Sequence, residues 1–299
     1  MSRLRVAYVI NDAAFFVSHR LPLALKVIQK GGKVCIITGI NINQEIENDA
    51  ILKLKKKNIK HYQCKFSQGI KNPILEIIGF LQLLVTLRRF KPTTIHSATA
   101  KGNLMASMAC NFIQKTNLIV SVSGMGTIFT GKIGLKKFLL QFIYKYFFKI
   151  SFKRINYKLI FQNKEDHKHF KSIINFDKNK AVIIQGSGVD TNFLKPSLRQ
   201  PHNKSILLPA RMLYEKGIEE FVKASKILKK INIEGKFYLA GGTVSLNPSA
   251  IKKSTIDKWI KEGLVTYLDH QYDLKIMYKN ISIVCLPSWR EGFPKVLME

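Results

Sequence analysis

At 299 residues, with 46% hydrophobic and 23% charged residues, the chain has room for about two domains that each bury a core, which excludes a disordered or fibrous protein. The formal net charge of +30 is unevenly spread, with +23 on residues 1–196 and +7 on residues 197–299. Cys35, Cys64, Cys110 and Cys285 are scattered without the paired spacing of a zinc or iron–sulfur site, so they read as buried free thiols of a reducing cytoplasm.

Arg3 to Ile10 reads as a first buried strand, and the segment Asn11 to Lys30 turns through polar residues into an apolar-periodic helix. Met1 leads within two residues into that strand, with no signal peptide ahead of it. Lys33 to Thr38 is the next strand, and strand–helix–strand at this spacing indicates a parallel sheet with a crossover helix. The alternation continues through a strand near Ile59 to Cys64, a helix over Ile74 to Arg89, a strand at Thr94 to His96 and a helix from Gly102 to Ile113. The longest apolar run, Pro73 to Leu87, contains Glu76 and is short for a membrane span. The expectation is a cytoplasmic protein without a transmembrane helix. Leu118 to Val122 is a strand that ends in the glycine turn Ser123-Gly124-Met125-Gly126, and after a long helix come strand Lys158 to Phe161, helix Lys164 to Ile174 and strand Ala181 to Ile184.

Gly186 to Lys204 is rich in glycine, proline and polar residues and reads as the linker between domains 1–196 and 197–299. The pattern then restarts: strand Ser205 to Leu208, helix Gly217 to Lys230, strand Lys236 to Ala240, helix Ser249 to Glu262, strand Leu264 to Tyr267, helix Asp273 to Lys279 and strand Ile281 to Leu286. Two doubly wound α/β halves with a cleft between them are expected, with ligands beyond the carboxyl ends of the strands.

The last strand runs into Pro287 to Glu299 (PSWREGFPKVLME), a turn that should lead into a helix with Pro294 as its first residue. Unpaired N–H groups at a helix start suit a diphosphate. Glu291 falls in the turn and Glu299 in the second turn of the helix, so one carboxylate could grip sugar hydroxyls and the other a ribose. Arg211 and Lys216 follow the first strand of the second half, where two cations can support a departing diphosphate. Gly241 and Gly242 end the next strand and would let backbone approach a nucleotide.

The Gly-Phe-Pro turn with its paired glutamates resembles the signature of retaining nucleotide-sugar glycosyltransferases of family 4, which have the GT-B fold. The run FFVSHRLPLA around Ser18, His19 and Arg20 looks like the corresponding loop of members that assemble bacterial polysaccharides such as capsule and O-antigen, and the Gly124 and Gly126 turn is similar to the family's. The resemblance implies transfer of a hexose or N-acetylhexosamine from a nucleotide diphosphate, UDP-linked, to a lipid-linked saccharide carried on a polyprenyl diphosphate. It implies that Arg211, Lys216 and Glu291 are catalytic and that Glu299, Gly241, Gly242, Gly292 and Phe293 bind the donor. Ser18, His19, Arg20, Gly124 and Gly126 would face the acceptor. No metal or other cofactor is required, because the two cations and a helix terminus supply positive charge. Relatives continue beyond the point that corresponds to Glu299, so the second domain is expected to be incomplete.

Between Asp49 and Glu165 the one acidic residue is Glu76, against 21 Lys and Arg, and such a field draws an anionic surface. The helix over Leu135 to Lys153 spaces Lys137, Gln141, Lys145, Lys149 and Lys153 at i, i+4 among Phe, Leu, Ile and Tyr, the pattern of an interfacial helix. A peripheral position on the inner face of the cell membrane is therefore expected, without a specific nucleic-acid partner. A basic nucleic-acid-binding protein accounts for the charge but leaves the second-half motifs unexplained. The sequence is also compatible with a sugar-nucleotide epimerase of similar architecture and with a shortened, inactive GT-B protein.

Overall fold

A computed structural model describes residues 4–41, 43–67, 72–113, 115–123, 134–195, 204–243, 247, 249–269, 274–289, 291 and 293–299. The chain divides into two compact units, Met1–Ser187 and Gly188–Glu299, and the division falls inside the polar stretch that begins at Gly186.

In the first unit, runs that are apolar at successive positions become strands covered on both faces. Its elements are β1 (Arg5–Ile10), α1 (Ala13–His19), α2 (Leu21–Gln29), β2 (Lys33–Ile40), α3 (Gln44–Lys56), β3 (Lys60–Ser67), α4 (Pro73–Phe90), β4 (Thr94–Ala98), α5 (Ala100–Cys110), β5 (Asn117–Val122), α6 (Leu135–Arg154), β6 (Tyr157–Phe161), α7 (Lys164–Ile173) and β7 (Ala181–Ile183). The strands form one parallel sheet in the order β3-β2-β1-β4-β5-β6-β7. Helices α1, α2 and α3 cover one face, packing on Tyr8, Ile10 and Ile36. The other face, with Val9, Ile37, Ile95 and Val120, is covered by Leu87 of α4, Ala106 of α5, Phe148 of α6 and Phe170 of α7. The strand order reverses between β1 and β4, so the helices that follow these two neighbours leave on opposite faces.

Two local features depart from the expected pattern. The helix expected within Asn11 to Lys30 is broken in two, because Pro22 lacks an N–H and its ring crowds the carbonyl four residues back. The break falls at Arg20, whose φ is −130°. Helix α3 is not announced by apolar periodicity; it is set by charge and capping. Asn43 accepts the N–H of Ile46, Glu45 and Glu47 stand in the first turn, and Lys53, Lys55 and Lys56 stand in the last, matching the helix dipole at both ends. Glu47 is fully buried, and its carboxylate accepts the N–H of Ala13 at 2.9 Å and that of Ala14 at 3.2 Å. It therefore holds the start of α1, a place where a doubly wound sheet usually takes a phosphate. Burial pushes its carboxyl upward, against those two backbone donors.

The second unit contains β8 (Ser205–Pro209), α8 (Ile218–Lys230), β9 (Lys236–Ala240), α9 (Lys253–Lys261), β10 (Thr266–Tyr267), α10 (Leu274–Lys279) and β11 (Ile283–Val284). Its parallel sheet has the order β10-β9-β8-β11, packed around Leu208, Ile218, Phe221, Leu239 and Ile256. The expected strand Ile281 to Leu286 is reduced to Ile283–Val284. Pro294 does not begin an α-helix: it is the extended residue before a 3-10 turn, Lys295–Leu297. Glu299 is accordingly not in a second helical turn, and its carboxylate pairs with Lys295 at 2.8 Å.

Candidate active site

Arg211 and Lys216 lie on one loop, between β8 and α8, at the carboxyl edge of the second sheet. Both neighbours of β8 hold this loop. On the β9 side, the N–H of Ala210 donates to the Ala240 carbonyl at 2.9 Å and that of Met212 to the Gly242 carbonyl at 3.2 Å. Gly241 has φ 147°, and a Cβ there would collide with the Ala210 carbonyl. Its own carbonyl accepts the Tyr267 hydroxyl at 2.8 Å.

On the β11 side, the chain that leaves the strand folds back over the same loop. The N–H of Trp289 donates to the Glu215 carbonyl at 3.0 Å, and the Pro287 carbonyl packs against Gly217, which is left-handed with φ 71°. This docking sets the Lys216 ammonium 2.6 Å from Oε1 of Glu291, with both side chains largely out of water. Arg211 is exposed on the same loop. The two cations thus come from one loop and the carboxylate from the turn after β11, two segments that the strand order brings together. Phe293 is partly exposed beyond Glu291, no described residue stands within 4 Å of where a Cβ of Gly242 would be, and Gly292 lies outside the described residues.

The acceptor-side candidates in the first unit are separated by the break in the first helix. Ser18 is exposed on α1. His19 stacks on Phe15 with ring centroids 4.4 Å apart, and its Nδ1 is 3.2 Å from the Phe15 carbonyl. Arg20 is 5% exposed. Gly124 and Gly126 lie outside the described residues. Sequence patterning did not mark Glu47, Tyr8 or His96, which are buried beside this segment. The acidic first turn and basic last turn of α3 were the available signal for Glu47.

A hollow of about 510 Å³ lined by Thr116, Asn117, Ile155 and Asn156 opens at the amino ends of β5 and β6, the wrong edge for a ligand of such a sheet. A groove of about 570 Å³ lies between β3 and α4, lined by Tyr62, Ile78, Leu81 and Val85. Neither includes a charged side chain of the second unit.

The chain matches two family descriptions, Glycosyl transferase 4-like over residues 5–163 and Glycosyl transferases group 1 over residues 190–299. It is similar to the N,N'-diacetylbacillosaminyl-diphospho-undecaprenol alpha-1,3-N-acetylgalactosaminyltransferase of Campylobacter jejuni, with 25% identity over 99% of this chain and 77% of that protein. Among solved structures, a glycosyltransferase from Rickettsia africae has a TM-score of 0.69 at 16% identity, covering 99% of this chain and 76% of its own. The Anabaena protein HepE, solved with UDP and glucose, has a TM-score of 0.65 at 14% identity, covering 98% and 77%. These two likenesses show the fold, GT-B. With one family description spanning more than half of its residues and the second covering the other unit, the chain belongs to the Glycosyl transferase 4-like family and is a glycosyltransferase.

Proposed function

We propose that the chain moves a sugar from a nucleotide diphosphate to a hydroxyl of a polyprenyl-diphosphate-linked saccharide in surface-polysaccharide assembly, with retention at the anomeric carbon. The observation that carries this reading is the Lys216–Glu291 pair at the carboxyl edge of the second sheet, with Arg211 on the same loop. The bond from the anomeric carbon to the diphosphate oxygen breaks, and the bond to the acceptor oxygen forms on the same face. The acceptor proton passes to the departing phosphate oxygen. Arg211 and Lys216 neutralise the charge that grows on that oxygen, which is where preorganised cations lower a barrier most. Glu291 accepts hydrogen bonds from the donor sugar, and Glu299 exchanges Lys295 for the ribose hydroxyls. Gly241 and Gly242 leave room for the nucleotide, and Gly292 and Phe293 border it. These groups supply enough positive charge that no metal is needed. UDP is the expected nucleotide, as in the HepE complex. Ser18, His19 and Arg20, with Gly124 and Gly126, are assigned to the acceptor.

The test is a panel of radiolabelled nucleotide sugars offered with polyprenyl-diphosphate saccharides. Label entering the lipid extract without added metal is expected; free epimer in solution, or label retained in the nucleotide pool with every donor, defeats the reading.

The same reading places the first unit against an anionic bilayer. On α6, Phe138 and Phe142 are 62% and 60% exposed, and Leu139 and Tyr146 are exposed beside them. Lys145, Lys149 and Lys153 are exposed on that side of the helix. The side chain of Lys137 lies outside the described residues. Helix α4 adds a second stripe, with Ile74, Ile77, Leu81 and Val85 exposed at helical spacing. Glu76, the one acid between Asp49 and Glu165, is tied to Lys101 at 2.8 Å. Among the described residues no helix is long and apolar enough to cross a membrane, so contact would be interfacial. The protein is expected to float with vesicles containing phosphatidylglycerol and not with pure phosphatidylcholine. Replacing Phe138 and Phe142 together with Ser should weaken that binding about a hundredfold or more, since each buried ring contributes roughly 1.5–3 kcal/mol. Equal flotation of the variant would exclude α6 as the contact.

A further inference from the structure

Arg20 is a cation taken out of water, and among the described residues no carboxylate pairs with it. It is 5% exposed, and its Nε is buried with no hydrogen-bond partner among the described residues. Its one side-chain hydrogen bond among the described residues runs from Nη1 to the His19 carbonyl at 3.0 Å. Every Asp and Glu of the first unit lies among the described residues, and none of them pairs with Arg20. The end of α1 offers its carbonyl dipoles as partial compensation, but a helix terminus carries only about half a charge. Leaving a buried guanidinium short of a counter-charge is costly.

The surroundings of Arg20 supply hydrogen-bond donors rather than negative charge. Tyr8 on β1 and His96 on β4 stand opposite each other in the sheet, on the face that α1 and α2 cover over β1. Their rings are 5.2 Å apart. The Tyr8 hydroxyl makes no hydrogen bond among the described residues, and burial pushes its pKa up to about 12, so it stays a donor. His96 is held through Nε2 by Ser121 on β5 at 2.8 Å. Burial, and then the nearby Arg20 charge, push its pKa down to about 3, so at neutral pH it is an uncharged imidazole. Among the described residues no second cation is paired there. These strands are also the pair at which the sheet order reverses, where open α/β sheets take ligands. Thr99, directly after β4, holds φ 70°, a strained value for a β-branched residue.

We infer that Arg20, with the Tyr8 hydroxyl and His96, forms an anion site of the first unit that takes a phosphate or diphosphate ester. This rests on the reading of the chain as a transferase whose acceptor carries a diphosphate. Tyr8 and His96 become binding residues of that acceptor site.

The test uses the full chain with Arg211 and Lys216 both changed to Ala, so that the second unit no longer answers to diphosphate, and inorganic pyrophosphate as the probe. Pyrophosphate should raise the melting temperature of this parent by several degrees. Adding Arg20→Leu should leave the unliganded melting temperature equal or higher, because an apolar isostere removes the cost of the buried charge, and should abolish the pyrophosphate shift. Adding Tyr8→Phe instead should reduce the shift at least by half without altering the fold. A lower unliganded melting temperature together with a retained shift in Arg20→Leu, or an unchanged shift in Tyr8→Phe, would make Arg20 a cap of α1 and overturn the site. If Arg20→Leu does not fold, the Tyr8→Phe outcome decides alone. In the otherwise wild-type chain, Arg20→Leu should raise the KM for the polyprenyl-diphosphate saccharide tenfold or more and leave UDP binding unchanged. A rise in the nucleotide-sugar KM instead would assign the same site to the donor diphosphate. Loss of UDP binding in Arg211→Ala tests the donor reading separately.

Discussion

Arg211→Ala is expected to lower kcat by about 10²–10³-fold, the usual cost of removing one preorganised group that stabilises developing oxyanion charge, while the protein melts within a degree or two of the wild type. The stability half of this expectation follows from exposure. Arg211 stands in water on the loop after β8, and substitutions at such positions change stability by roughly 0.5 kcal/mol or less. Lys216→Ala should lose comparable activity, but it is a poorer diagnostic. It strands the largely buried Glu291 carboxylate, 2.6 Å from the ammonium it would lose, and breaking one side of such a pair is destabilising. Arg211→Ala therefore separates a role in the reaction from a role in the fold. Turnover of a labelled nucleotide sugar and a melting curve on the same preparation decide it; near-normal kcat with an intact fold would remove Arg211 from the site.

The parts of the fold that were legible in the sequence are those whose signal is apolar and local. β1, β2, β5, β8 and β9 fall within two residues of their apolar runs at every end, because a parallel strand buried on both faces leaves a near-continuous hydrophobic stretch. Where the signal is electrostatic or rests on a single helix-start residue, the reading weakens. Helix α3 has charged ends and a sparse apolar stripe, and its buried Glu47 looks like any solvated glutamate until the start of α1 is laid against it. The segment after Pro294 carries a helix-start pattern but closes as a 3-10 turn.

The candidate site divides in the same way. That Arg211, Lys216 and Glu291 lie at strand ends can be read from the chain, since each follows an apolar run. That Lys216 and Glu291 touch cannot, because 75 residues separate them and the contact depends on β11 being the neighbour of β8. Arg20, Tyr8 and His96 are further from legibility. A histidine inside a strand candidate and an arginine at a helix break carry no joint signal until parallel pairing places Tyr8 beside His96.

The close approach that positions Glu291 leads to the second large effect. Gly217→Ala should destabilise the second unit by about 2–5 kcal/mol, combining the cost of a left-handed alanine, roughly 1–2 kcal/mol, with overpacking, about 1–3 kcal/mol. Both terms are present, since Gly217 holds φ 71° and its new Cβ would meet the Pro287 carbonyl, a backbone atom that cannot swing aside. For a unit of this size, 2 kcal/mol corresponds to a fall of roughly 8–16 °C in melting temperature. Activity should fall further than stability requires, because the shifted segment is the one that carries Trp289 against Glu215 and Glu291 against Lys216. Gly242→Ala is the control, for nothing among the described residues stands within contact of its Cβ, and its melting temperature should match the wild type. Measured below the melting transition, Gly217→Ala should therefore show a reduced kcat in molecules that are still folded. A variant that keeps the wild-type melting temperature and turnover would mean that the turn after β11 does not need its docking on Gly217 to place the carboxylate.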